Sequence, residues 1–407
     1  MRKVTERIVM SFTCFAMFFG AGNLIFPAFL SFNAGSNTAF AFIGFALSAI
    51  TLPVLALIAV GRTGSLERLS ARVNPFFARV FTIVIYLAIG PMLAIPRTAS
   101  TSYEMVKIAF SIERDIISWL YSALFFALAG VVALKPEKLS KRLGKILSPI
   151  LITLIIILFI SVFFMAPFEA VAKAPYDETP FLSGVLEGYQ TMDAIAGLVF
   201  GTVIAINLRK MGIEDEDDIR REGGIAAVGG GILLLVIYLL LSAIGMSSHV
   251  LLSSADNGAD ILSAAASFIF PDMGRVLIAA IFIIACFNTS VGLLSSVGEY
   301  FNSLYPSLSR AKWIFIFALI SAIIANAGLD TIISISSPVL EVIYPVAITL
   351  MVLSLADGRN NLSLSYKVAI PVASVFSLVG IIWGNSFFWI IPTLIAMALG
   401  VAADKKR

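Results

Sequence analysis

Charge is what this chain has least of. Of its 407 residues only 13% are Asp, Glu, Lys or Arg, about half the ~25% usual in soluble domains. With 59% hydrophobic residues and a mean hydropathy of +0.98, that excludes an ordinary water-soluble fold. It implies a polytopic membrane protein, most simply one large helical domain. Cysteine is scarce too: the two present, Cys14 and Cys286, both lie in apolar segments, so no disulfide framework is expected. The basic excess is small, a net charge of +3 and a pI of 8.8, and gives no footprint for nucleic acid. The single histidine, His249, reads as an ordinary loop residue, with a pH effect left open. The N-terminal segment also lacks an A-x-A-like cleavage site. Its apolar run is longer than a signal-peptide core and holds Gly, Asn and Pro, so it reads as a span.

What the chain does have is long apolar runs. A crossing needs about 20 mostly apolar residues. Twelve segments qualify: 7–32, 38–60, 76–100, 117–134, 143–166, 181–207, 224–247, 273–300, 311–327, 331–355, 367–384 and 387–403. With both termini in the cytoplasm, the cytoplasmic segments collect all of the 28 Lys and Arg residues except Arg97, Lys107, Arg114, Lys173 and Arg275. The positive-inside rule therefore fixes the orientation. The outer loop 248–272 carries His249, Asp256, Asp260 and Asp272 around an apolar run, and is expected to form short helices. The acidic run 214–218 reads as a solvated cytoplasmic turn, with a regulatory or ion-sensing role as the alternative.

Two spans are interrupted. Span 1 contains Phe18-Phe19-Gly20-Ala21-Gly22-Asn23, with Pro27 one turn on. Each glycine weakens a helix by roughly 1 kcal/mol relative to alanine and lets a ligand approach the backbone. Inside a bilayer, freed backbone groups are tolerated only where they are buried in protein or line a cavity. A close helix–helix contact is the other use of such glycines. Span 6 is interrupted near mid-depth by Gly188, Thr191 and Asp193, with Gly197 following. Burying Asp193 near the bilayer centre costs at least about 2.5–3.5 kcal/mol. It should therefore face a polar cavity and meet a cation there, or be protonated; the alternative is an aspartate bonded to neighbouring backbone. Five spans separate the two breaks, so a five-helix unit would repeat with inverted topology. Interrupted spans at matching positions of inverted halves point to a transporter site. Half-helix N-termini there favour an anionic group, and unwound carbonyls favour cations. A zwitterionic amino acid fits both.

Span 8 adds Cys286, Thr289 and Ser290, whose i, i+3, i+4 spacing puts them on one helical face. The hydroxyl oxygens there could meet carbonyls of span 1 around a hard cation; hydrogen bonding of Ser and Thr to their own helix is the alternative. In span 3, Tyr86 borders the site or, more simply, packs, and Arg97 either snorkels outward or helps close an outer gate. Glu341 in span 10 is a second intramembrane acid with no definite role.

The blocks FFGAGNLIFP (18–27), IGPMLAIPRTAS (89–100), GYQTMDAIAGLVFG (188–201) and CFNTSVGLLSSVGEYF (286–301) resemble the branched-chain amino acid:cation symporter family (BrnQ-type), of the amino acid–polyamine–organocation superfamily. The likeness runs along essentially the whole chain. It implies an all-α polytopic membrane protein of leucine-transporter type, with twelve transmembrane helices. Helices 1–5 (about 7–166) and 6–10 (about 181–355) form inverted repeats, and two further helices (about 367–403) follow.

The implied function is sodium-driven import of leucine, isoleucine and valine across the bacterial inner membrane. By resemblance, Phe18, Gly20, Ala21, Gly22, Asn23, Thr191, Met192 and Asp193 bind the substrate. Phe18, Phe19 and Met192 should line the space for its side chain. The carbonyls of Ala16, Phe19 and Cys286 and the hydroxyls of Thr289 and Ser290 bind sodium. Asn23 matches an asparagine that holds a second sodium in some relatives. Asp193 departs from the small residue many relatives carry and would meet either the ammonium or a cation. Some proton-coupled relatives place a lysine of span 5 in the sodium position. Here Lys141 and Lys145 lie near the end of that span, and 146–166 contains none, which favours sodium.

The alternatives are proton coupling, exchange of other zwitterionic amino acids, a passive channel and, remotely, a membrane-embedded aspartyl protease pairing Asp193 with Glu341. No protease-like motif surrounds either acid.

Overall fold

The computed structural model describes residues 2–112, 115–135, 152–161, 170–271, 273–357 and 362–405. Within the described residues the expected spans are mainly helical. Span 1 is two helices, α1 (Arg2–Phe18) and α2 (Ala21–Ala34), broken at Phe19 and Gly20. Span 2 is α3 (Thr38–Ala46) and α4 (Leu52–Thr63), joined by one wide turn. The short α5 (Leu66–Ser70) follows. Span 3 is α6 (Pro75–Leu87) and α7 (Ala94–Phe110), kinked where Gly90 leaves helical geometry ahead of Pro91. Next come α8 (Asp115–Ala133) and the described part of span 5, α9 (Ile152–Ser161).

Span 6 is again two helices, α10 (Pro180–Tyr189) and α11 (Asp193–Lys210), bent by 44°. The remaining elements are α12 (Glu216–Ser247), α13 (Gly258–Ile269), α14 (Gly274–Leu304) and α15 (Arg310–Ala325). The chain closes with α16 (Leu329–Ala356), α17 (Ser363–Ile382) and α18 (Ile390–Asp404).

By length and hydropathy, the described helices give seven crossings, or eight with the bent pair, against the twelve expected. The difference has physical sources. The run Ala21–Thr63 counts once, yet its 43 residues would reach ~65 Å at ~1.5 Å each, twice a bilayer's hydrocarbon. It folds back at Gly35, whose φ of +47° turns the chain between α2 and α3. Helices α1, α15 and α18 have 17, 16 and 15 residues and fall below a full crossing. Most of span 5, with Lys141 and Lys145, lies outside the described residues.

Helix α8 shows the lipid-facing pattern: Leu120, Leu124, Leu128 and Val131 form an exposed stripe at i, i+4, i+8, i+11. The loop reading holds for α13, capped by Asn257, whose side chain accepts from Ala259 N at 2.9 Å. The acidic run does local work. Asp215 caps α12 by accepting from the backbone N–H groups of Asp217 and Asp218 at 3.0 and 2.9 Å.

Span 6 corrects one expectation. Gly188, expected at the interruption, lies inside α10, and Gly197 lies inside α11; the break is Gln190-Thr191-Met192, with Asp193 the first residue of α11. Both glycines are contact points with span 2, the other role open to membrane glycines. A Cβ at Gly197 would sit 2.9 Å from Ala56 Cβ and 3.0 Å from the Pro53 carbonyl oxygen. A Cβ at Gly188 would collide with the Ser48 hydroxyl, and one at Gly184 with the Ala41 carbonyl. The expected outcome is a contrast. Gly184→Ala should lower the thermal midpoint of the detergent-solubilised protein, overpacking costing about 1–3 kcal/mol. Gly61→Ala, where an added Cβ meets nothing within 4 Å, should leave the midpoint unchanged or raise it, by up to ~1 kcal/mol. Equal midpoints would refute the close packing of α3 on α10.

Candidate functional site

The two breaks face one another across a small cavity lined by residues of both. All eight residues expected to bind substrate line it: Phe18, Gly20, Ala21, Gly22, Asn23, Thr191, Met192 and Asp193. The sequence singled out the cavity's two ends but not its walls, which Met17, Ile89, Ala94, Ala196, Phe200 and Leu293 complete. Spacing could have found two of these, since Ala196 and Phe200 stand three and seven residues beyond Asp193 and share its helical face. Phe19 does not line the cavity. It turns back to stack on Phe15, with ring centroids 4.8 Å apart.

At the break in span 6, Gly188 O and Tyr189 O accept from the backbone N–H groups of Thr191 and Met192, and these two carbonyls and that of Gln190 each also meet a side-chain donor. Thr191 Oγ1 donates to Gly188 O at 2.9 Å, Tyr344 Oη to Tyr189 O at 3.1 Å, and Arg97 Nη1 to Gln190 O at 2.6 Å. The Tyr344 ring also stacks on Tyr189 at 3.9 Å. Met192 completes the turn in the left-handed region, with φ of +62°. A non-glycine residue there is strained and persists only where its surroundings hold it. In span 1, Gly20 N donates to Asn23 Oδ1 at 2.9 Å, so Asn23 caps its own helix from inside.

Asn23 also ties the two breaks together. Its Nδ2 donates to Asp193 Oδ2 at 2.5 Å and to the Tyr238 hydroxyl. Tyr238 donates to the same Asp193 oxygen at 3.0 Å. Asp193, Asn23 and Tyr238 are all buried. Asp193 thus sits in a hydrogen-bonded network at the N-terminus of α11, where the helix dipole also favours a negative charge. Asp193 was legible from sequence; Tyr238 was missed. The available signal was a lone tyrosine in the apolar run of span 7, whose O–H needs a partner when buried.

Arg97 is buried and lines the cavity, which excludes snorkelling to an interface. Tyr86 is a packing residue, stacked on Tyr300 at 3.9 Å. Glu341 does not line the cavity; it accepts from Ser337 Oγ at 3.5 Å. His249 is anchored to α2 by its Nε2, 2.6 Å from Phe32 O, and by stacking on the Phe32 ring.

Of the residues expected to hold sodium, Thr289 lies against the first break. A Cβ at Gly20 would be 3.1 Å from Thr289 Oγ1. Thr289 donates to Ala285 O at 3.1 Å, which leaves its oxygen lone pairs available. Cys286 and Ser290 are fully buried, and Ser290 Oγ has no hydrogen-bond partner among the described residues. That orphaned oxygen fits a cation's needs. Ala16 lies one turn before the break, on α1, away from the cavity lining.

Two solved structures share this architecture. The chain aligns over 97% of its length with 92% of Mhp1, a nucleobase-cation-symport-1 family transporter holding bromovinylhydantoin, at a TM-score of 0.68 and 13% identity. It aligns over 97% with 98% of MhsT in complex with L-phenylalanine, at a TM-score of 0.64 and 19% identity. The fold is therefore that of the leucine-transporter-type carriers, and the protein is a transporter, not an enzyme.

Within that class, a family model described as "Branched-chain amino acid transport protein" matches residues 3–407, and the chain belongs to this family. It is 40% identical to the branched-chain amino acid permease BraB of Bacillus subtilis, over 87% of this chain and 80% of that protein. It is 38% identical to the permease BrnQ of Corynebacterium glutamicum, over 98% and 95%. It is 35% identical to the branched-chain amino acid transport system 2 carrier protein of Pseudomonas aeruginosa, over 98% and 96%.

The network around Asp193 gives a direct test. Tyr238→Phe removes the hydroxyl that serves both Asp193 and Asn23 and should lower stability by about 1–3 kcal/mol. A thermal midpoint matching that of the parent protein would show that this hydroxyl does not hold the two breaks together.

Proposed function

We propose that this protein is a secondary symporter that imports leucine, isoleucine and valine across the bacterial inner membrane, with both termini cytoplasmic and sodium as the coupling ion. The carrying observation is the cavity between the two broken helices. It offers the N-terminus of α2 to a carboxylate, Asp193 to an ammonium, and Phe18, Ile89, Met192, Phe200 and Leu293 to an apolar side chain. Each CH₂ buried in such a wall contributes about 0.8 kcal/mol. The names of the relatives support the substrate class. The division into repeats at about 7–166 and 181–355, followed by two further helices, is part of the same reading.

The sodium assignment is supported by Ser290 Oγ, buried next to Thr289 and without a hydrogen-bond partner among the described residues, and by the absence of lysine from 146–166. The network of Asp193, Asn23 and Tyr238 favours a second reading, in which a proton on Asp193 is the coupling ion. Both readings are decided in proteoliposomes. A sodium jump with the proton gradient clamped should drive accumulation of labelled leucine, with competition from isoleucine and valine but not from lysine or glutamate. Accumulation driven only by a proton gradient would select the second reading, and transport that never exceeds equilibrium would refute symport altogether.

The ion site has its own test. Thr289→Val combined with Ser290→Ala should reduce sodium activation much more than it alters the order of preference among leucine, isoleucine and valine. By linkage, the factor by which leucine tightens sodium must shrink together with the factor by which sodium tightens leucine. Unchanged sodium activation in the double variant would move the site elsewhere.

A further inference from the structure

We propose that Arg97 is the charged partner of the substrate carboxylate, so that carboxylate recognition in this transporter combines a helix N-terminus with a buried guanidinium. This rests on the amino-acid reading of the cavity. Arg97 is only 4% exposed and borders the same cavity as Gly22, Asn23 and Asp193. Its Nη1 is committed to the Gln190 carbonyl at 2.6 Å, and the guanidinium lies over the Phe26 ring, 5.4 Å from its centroid. Its Nη2 abuts the open face of Gly22, where an added Cβ would stand 3.1 Å away. The free half of the guanidinium therefore lies beside the first turn of α2, whose N–H groups have no partner inside the helix.

No ion pair among the described residues includes Arg97. A guanidinium keeps its proton, and a buried charge without a counter-charge is costly. Asp193, the one acid among the described residues that line the cavity, directs Oδ2 to Asn23 and Tyr238 instead. The cavity thus holds one positive and one negative side chain that do not pair with each other. A zwitterion satisfies both, with its carboxylate on Arg97 and the α2 terminus and its ammonium toward Asp193. Glycine at position 22 keeps the Arg97 side of this arrangement open. The planar fork of arginine suits a carboxylate better than the point charge of lysine.

The test titrates purified protein with leucine and, separately, with leucinamide, which keeps the amine and the side chain but has no carboxylate. Binding is read from the ligand-induced rise in thermal midpoint. The parent protein should prefer leucine strongly. In Arg97→Gln, leucine should weaken by about tenfold or more while leucinamide changes little, so that the preference collapses. Arg97→Lys, which keeps the charge, should give an intermediate preference, and it decides the matter if the Gln variant does not fold. Equal weakening of both ligands, or an unchanged preference in the Lys variant, would overturn the assignment and leave Arg97 as a clasp on Gln190. A parent protein stabilised by neither ligand would instead overturn the amino-acid site itself.

Discussion

Hydrocarbon offers no hydrogen bonds, and most of this structure around the site follows from that constraint. A helix broken inside a bilayer frees backbone groups that must be paired by protein. At the end of α10, backbone turn bonds to Gly188 O and Tyr189 O are joined by side chains from three places: Thr191 in the break, Tyr344 on α16 and Arg97 on α7. At the start of α2, Asn23 accepts from Gly20 N from within the same helix. The break in span 6 is therefore a junction where spans 3, 6 and 10 are tied together. A local interruption in sequence becomes a long-range tertiary contact because water is not there to supply it.

The same junction organises charge. Among the described residues, Asp193 and Arg97 are the ionisable side chains lining the cavity, and each is held by groups contributed from other spans. Asp193 sits on the positive end of α11, while the corresponding end of α2 carries no acid. One helix terminus is thus already matched by protein and the other is open, an asymmetry suited to a ligand with a charge of each sign.

The breaks stay in register because the helices beside them approach closely. Helices α10 and α11 pack on α3 and α4 through Gly184, Gly188, Gly197 and Gly201, where a Cβ would overlap the neighbouring helix. Bonds from Asn23 to Asp193 and Tyr238 then join span 1 to spans 6 and 7. Arg7 and Glu222 repeat the link nearer the N-terminus of α1 with two hydrogen bonds of 2.7 Å. A sliding motion of span 1 relative to span 7 must break these contacts, so they set the stiffness of this part of the bundle.

Sequence alone determined where apolar helices form. Long apolar runs gave the spans, and Gly20, Gly22, Thr191 and Asp193 marked where two of them yield, because a polar or flexible residue in hydrocarbon is conspicuous. The blocks around them were distinctive enough to indicate the family. What sequence could not determine was direction around each helix. In a bundle such as this, many spans are apolar on the lipid side and on the protein side, so periodicity does not tell one face from the other. Only tertiary structure decided that Arg97 turns inward onto Gln190, that Tyr238 meets Asn23 and Asp193, that Phe19 leaves the cavity, and that Gly188 and Gly197 serve packing while the chain breaks between them. Each of these depends on which neighbour stands opposite, and that follows from the packing of distant spans, not from the residues within any one of them.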